Sequence, residues 1–153
     1  MKYSTLILFI CMMSFGLITN AQVKPIAKFK PPKLTTQLGA YRDTVKVTVA
    51  EAEQLIAQPL KIFDAKKTAY QVSSYMFVYR QIGVTEDEQT GKVTPTSTIK
   101  ANLFKQTPLP QNWLTSIQEM VKPGDEIEFV EVIARDAKGI VMYSGNLKLI
   151  VIK

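Results

Sequence analysis

The sequence contains no histidine, and its single cysteine is Cys11. The first absence excludes Ser-His-Asp and Cys-His nucleophilic catalysis. The two together exclude zinc sites built on those residues and a disulfide framework. Tryptophan occurs once, as Trp113. Acidic residues are the minority charge, 13 against 19 basic. What is present is a chain of 153 residues, 46% hydrophobic and 21% charged. That is room for one domain with its own core, and too apolar for a mainly disordered chain.

The longest apolar run lies at the start. Lys2 precedes Leu6-Ile7-Leu8-Phe9-Ile10-Cys11-Met12-Met13, and Thr19-Asn20-Ala21 follows. Positive start, apolar centre and small or polar end are the three zones of a secretory signal peptide, with cleavage expected after Ala21. A retained span needs about 20 apolar residues, and this run breaks at Thr19-Asn20. A lipid-anchored reading on Cys11 is disfavoured because Ile10, rather than a small residue, precedes it. Cleavage removes Lys2 and Cys11 and leaves a basic chain without a thiol, periplasmic or secreted, with no stable membrane span.

Residues 22–43 read as an arm rich in proline and lysine. Pro25, Pro31 and Pro32 interrupt ladders, and Lys24, Lys28, Lys30 and Lys33 keep it solvated. Four lysines without arginine or stacked aromatics make a linker rather than a nucleic-acid contact, so no nucleic-acid partner is expected.

From residue 44 to 153 the pattern is that of one β domain. Val45, Val47 and Val49 alternate with polar residues as in a half-buried strand. Thr48 and Glu51 have capping-box spacing ahead of a short helix ending near Pro59. Residues 60–63 predict a short strand. Residues 70–81 predict a longer one, apolar on both faces, hence central or interrupted by a bulge. Residues 83–98 read as an exposed, hairpin-like excursion. Ile99, Ala101 and Leu103 then alternate as the apolar side of a further strand. Asn112 is placed to cap a helix through Met120, with Trp113, Leu114 and Ile117 at helical spacing. Pro123-Gly124-Asp125 makes a turn, and residues 126–135 and 140–152 predict two closing strands joined through Gly139. Strands without a βαβ rhythm, with one or two short helices, predict a mainly antiparallel β-sandwich.

The order of these elements is similar to a known family. An arm with proline leads to a strand and short helix, then to Phe63-Asp64 and to Tyr70-Gln71-Val72-Ser73-Ser74-Tyr75-Met76-Phe77. After the second helix come Val121-Lys122-Pro123-Gly124-Asp125-Glu126, Ala137-Lys138-Gly139-Ile140 and Leu147-Lys148-Leu149-Ile150. This resembles the C-terminal domain of GldM, the gliding-motility and type IX secretion protein of Bacteroidetes. The resemblance implies an immunoglobulin-like β-sandwich in the cell envelope that acts by protein–protein contact, with other envelope proteins or with itself as a homodimer. Three departures stand against a motor role. There is one domain here, the leader carries no acidic residue, and Phe63-Asp64 replaces a longer Phe-Asp-Phe segment.

No catalytic residue, cofactor site or metal site is assigned. Glu126 and Glu128 share one strand face, but lysines opposite make them a solvated face rather than an acid/base pair. Glu86-Asp87-Glu88 has too few oxygens for a calcium loop. The candidate partner surface is Tyr75, Phe77 and Tyr79, which share one face of the central strand, together with Trp113. Their competing role is core packing. The expected function is therefore that of a non-enzymatic exported contact module. The alternative is a secreted sandwich that binds a small glycan or peptide through Trp113 and the tyrosines.

Overall fold

The alternating valines form a strand, β3 (Thr44–Thr48), which runs directly into a helix, α1 (Val49–Ile56). Both halves of the capping box are made. The Thr48 hydroxyl accepts from the Glu51 amide at 3.3 Å, and the Thr48 amide donates to the Glu51 carboxylate at 2.8 Å. Ala52, Leu55 and Ile56 are the buried side of this helix.

The computed structural model describes residues 30–153. The leader and residues 22–29 of the arm lie outside them. Strands occupy 54% and helices 13% of the described residues, so the protein is mainly β. Part of the expected arm is also strand, because β1 (Leu34–Leu38) and β2 (Tyr41–Arg42) form a hairpin before β3. Leu34, Thr36 and Leu38 are all buried, a period-2 pattern hidden by the two threonines and Gln37. Gly39 makes the turn at φ 58°, where an added Cβ would sit 2.9 Å from Leu55 Cδ2.

The remaining elements are β4 (Leu60–Asp64), β5 (Ala69–Glu86), β6 (Val93–Phe104), α2 (Gln111–Gln118), β7 (Glu126–Arg135), β8 (Val141–Tyr143) and β9 (Leu147–Ile152). They pair in the order β2-β1-β4-β5-β7-β9-β3, with β6 also on β5 and β8 also on β7. Among the described residues every pairing between these strands is antiparallel except β3 with β9, which is parallel, as is the isolated Leu34–Ser144 bridge. The expected antiparallel sheet is thus a mixed one. Its two ends, β2 and β3, are neighbours in the chain, joined through Asp43, whose carbonyl accepts from the Lys148 amide at 2.8 Å. Leu34 also bridges Ser144, and the Thr36 hydroxyl donates to Ser144 at 2.8 Å. The sheet is therefore nearly closed.

Bulges decide which side chains face the core. Ser73 is an extra residue on β5 opposite β7, and β7 answers with an extra residue between Val130 and Ile133. Glu131, at φ 50°, absorbs the second irregularity and points to solvent. Phe129 and Val132, three residues apart, both become buried. Beyond the bulge Tyr75, Phe77 and Tyr79 alternate inward with no exposure at all.

Three local expectations are corrected. Helix α2 begins at Gln111 with Pro110 as its N-cap and no side-chain cap bond, because proline already supplies the extended entry that Asn112 was expected to give. The closing strand splits into β8 and β9, since Ser144-Gly145-Asn146 leaves β7 to meet Leu34. Ile99 and Leu103 of β6 are about half exposed, 52% and 49%. Their alternation marks the outward face, and only Phe104 at the strand's end enters the core.

A single buried carboxylate joins these parts. Asp125 follows the turn made by Gly124 at φ 97° and is completely enclosed. Its carboxylate accepts from the Tyr79 hydroxyl at 2.7 Å, the Ile82 amide at 3.0 Å and the Lys122 amide at 3.2 Å. Its carbonyl accepts from Val151, whose own carbonyl accepts from Gly124. Three donors are what an enclosed carboxylate requires. Tyr79→Phe, which deletes one of them, is expected to cost about 1.5–3 kcal/mol, and Asp125→Ala, which orphans all three donors, more than about 3 kcal/mol in urea unfolding. A loss below about 0.5 kcal/mol for Asp125→Ala would show that the node carries no weight.

The phenols at the core titrate with the fold. Burial pushes Tyr75 up to about 12, against a smaller opposing effect of the Thr107 hydroxyl. Tyr79 is pushed up further, by burial first and then by the Asp125 carboxylate. Raised folded-state values mean that stability is intact below the usual tyrosine range near 10 and is lost as pH climbs through 12. Absorbance at the phenolate band should show these two tyrosines ionising together with loss of the near-UV circular dichroism. Ionisation of both within a still-folded protein near pH 10 would contradict the burial.

Candidate interaction surface

The aromatic face of β5 is the core. Tyr75 and Phe77 pack against Phe129 with ring centroids 5.5 Å and 5.3 Å apart, and the Tyr75 hydroxyl donates to the Gln106 carbonyl at 3.1 Å. A fully enclosed ring offers nothing to a partner, so Tyr75, Phe77 and Tyr79 are withdrawn from the candidate surface. Trp113 is half-buried. It stands edge-on to Phe77 at 5.9 Å and to Phe104 at 5.4 Å, closing the end of the aromatic cluster beside α2. The structure thus brings all four residues near one another, as packing.

The opposite face of the same strands carries the charge. Glu126 and Glu128 project from β7, Lys148 from β9 and Arg80 from β5. The register sets Arg80 beside Glu126 and Glu128 beside Lys148. The Lys148 ammonium lies 2.8 Å from Glu126 and 3.0 Å from Glu128, and Arg80 Nε lies 3.4 Å from Glu126. Hydrogen bonds to Glu126 and then to Glu128 push the Lys148 ammonium above its ordinary value. General-acid chemistry needs a carboxyl in a dry pocket. These two stand on a part-exposed strand face, tied to one lysine between them, as cross-strand pairs do. The acidic run at the hairpin tip is likewise used locally. The Asp87 carboxylate accepts from the Gln89 and Thr90 amides at 3.0 Å and 2.9 Å. The Thr90 amide is the main cause that holds its carboxyl below the usual range.

Accessible apolar side chains occur at Val141 and Tyr143 of β8 and, as a longer run, along the β5–β6 hairpin. Ile82, Val84, Val93, Ile99 and Leu103 are all exposed, Val84 to 70%. Their register partners place them on one face, with Met76 opposite Leu103, Arg80 opposite Ile99 and Val84 opposite Pro95. Strand β6 pairs only with β5, so a 12-residue strand has one edge without a neighbour among the described residues. Pro95 is the one built-in interruption of that edge. Period-2 alternation in residues 99–104 was visible in the sequence. Which side of it faced water was not, because the core had already been filled by β5, β7 and α2.

No protein family matches the chain, and no curated protein matches it.

Because Trp113 is packed on two rings but only partly buried, Trp113→Ala is expected to cost about 2–3 kcal/mol in a denaturant melt, less than the loss of a fully buried ring. A cost below about 1 kcal/mol would return Trp113 to the list of binding residues.

Proposed function

We propose that this chain is a non-enzymatic, exported β-sandwich of the immunoglobulin-like kind that works in a bacterial cell envelope by touching other proteins. The GldM C-terminal domain that its sequence resembles, from the gliding and type IX secretion machinery, is the analogy for that role. The observation that carries the reading is the β6 edge. A long edge strand flanked by exposed aliphatic side chains is a ready template for another chain. Natural proteins usually shield such an edge, and here only Pro95 interrupts it.

Other features agree with this reading. Strand β5 is shared by two pairing groups, β4 and β1 at its start and β6, β7 and β9 further on, as in a sandwich whose layers share a strand. No helix among the described residues is long and apolar enough to cross a membrane. The apolar leader supplies the route of export, and the carboxylates most suited to chemistry are engaged by Lys148.

The test has two arms. Expressed with its leader, the chain should reach the periplasm or medium of a bacterial host. A photoreactive residue at Ile99 should then give discrete adducts, identified by mass spectrometry as envelope proteins or as a second copy, whereas one at Lys138 should not. Retention in the cytosol, or equal yields at the two positions, would overturn the proposal.

A further inference from the structure

A second surface, separate from the β6 edge, lies where β5 changes partners. β4 pairs with β5 at Ala69 and Tyr70, and β6 joins β5 only from Tyr75 onward. Both occupy the edge of β5 opposite β7. Between them, residues 71–74 have no strand on that edge. The chain leaving β6 and the chain entering β4 diverge around the gap. They are tied to one another at its rim, where the Leu60 amide donates to the Thr107 hydroxyl at 2.6 Å, and the Tyr75 hydroxyl fixes the Gln106 carbonyl beside it.

The divergence opens a groove of about 620 Å³, with a smaller polar depression of about 160 Å³ adjoining it through Gln71, Val72 and Lys105. Phe63 and Val72 supply apolar wall, Lys61 and Lys105 line the larger space, and Arg135 lines the smaller. No aspartate or glutamate lines either one. Among the described residues every ion pair lies at Glu126 and Glu128, on another part of the sheet, and residues 1–29 contain no acid to supply one. Three cations therefore line the two spaces, while the Asp64 carboxylate, which accepts from the hydroxyl of the lining Tyr70 at 3.3 Å, is engaged by the amides of its own turn.

We propose that this groove is a docking site for a short, extended acidic peptide of a partner protein. The peptide main chain would lie along β5 at residues 71–74, an apolar side chain would enter against Phe63 and Val72, and carboxylates would meet Lys61, Lys105 and Arg135. Strand addition supplies the main-chain hydrogen bonds, and the alternate side chains supply the selection. Four residues of open edge, about 13 Å at strand rise, suit a short linear motif rather than a folded face. The cations make the choice between peptides, since a basic segment there would be repelled. This rests on the reading of the chain as a contact module and names the chemistry of one partner.

The experiment is selection of a random heptapeptide display library on the purified exported chain, followed by fluorescence anisotropy of a labelled selected peptide. Enriched sequences are expected to carry two or more acidic residues. Affinity should fall about tenfold or more in Lys105→Gln/Arg135→Gln and again as salt rises from about 50 mM to about 500 mM. Lys138→Gln, on the β7–β8 turn, should leave it unchanged. Both altered residues are solvent-exposed, and an unshifted melting curve checks that the fold is retained. No enrichment, enrichment of neutral or basic peptides, unchanged affinity in the double variant, or binding of a heparin oligosaccharide in place of peptides would each overturn the proposal. Any of these failures, together with discrete adducts at Ile99, would show that the groove has failed as a site while the contact reading stands.

Discussion

The carboxylate of Asp125 is the point on which the arrangement turns. Enclosed and bound by Tyr79, Ile82 and Lys122, it holds β5 against the turn that launches β7. Because Glu126 follows it immediately, its position sets the β7 register opposite Arg80, and through that the faces of Glu126, Glu128 and Lys148. The backbone bonds between Asp125, Gly124 and Val151 bring β9 to the same place. An enclosed anion tolerates little displacement, since each lost donor leaves a costly unpaired group. The node therefore specifies one pairing register among several that the valine-rich strands would otherwise permit.

Strand β5 is the second organising feature. It is long enough to pair with β4 at its start, with β7 through its middle and with β6 to its end. The bulges at Ser73 and Glu131 increase the local twist just where β4 gives way to β6. Two surfaces result from the same bend. One is the exposed hairpin and its free β6 edge, and the other is the basic groove left open between diverging neighbours. Both lie on a framework held by the aromatic cluster of Tyr75, Phe77, Phe104, Trp113 and Phe129.

Charge is distributed unevenly over this framework. Glu126 and Glu128 of β7 are paired with Lys148 and Arg80, and Asp64 and Asp87 are engaged by the amides of their own turns. The cations around the groove have no such partners, in a chain whose basic residues outnumber its acidic ones. An unengaged positive surface attracts and selects rather than stabilises. That division is consistent with a protein that works by contact at surfaces and keeps its polar interior for architecture.

Local spacing along the chain already accounts for several elements. Alternating valines made β3, Thr48 and Glu51 started α1, Gly124 and Gly139 made turns, and the aromatic run marked the central strand. Leu34, Thr36 and Leu38 were missed because proline and lysine before them, and threonine within them, looked like linker. Which face of each strand lies inside was settled by long-range packing. Tyr75, Phe77 and Tyr79 took the core, so Ile99 and Leu103, with an equally good alternation, were left to water. The groove cations Lys61, Lys105 and Arg135 are far apart along the chain and have no shared pattern. They meet because one strand exchanges neighbours, and proximity of that kind arises from long-range pairing rather than from any local preference of the residues.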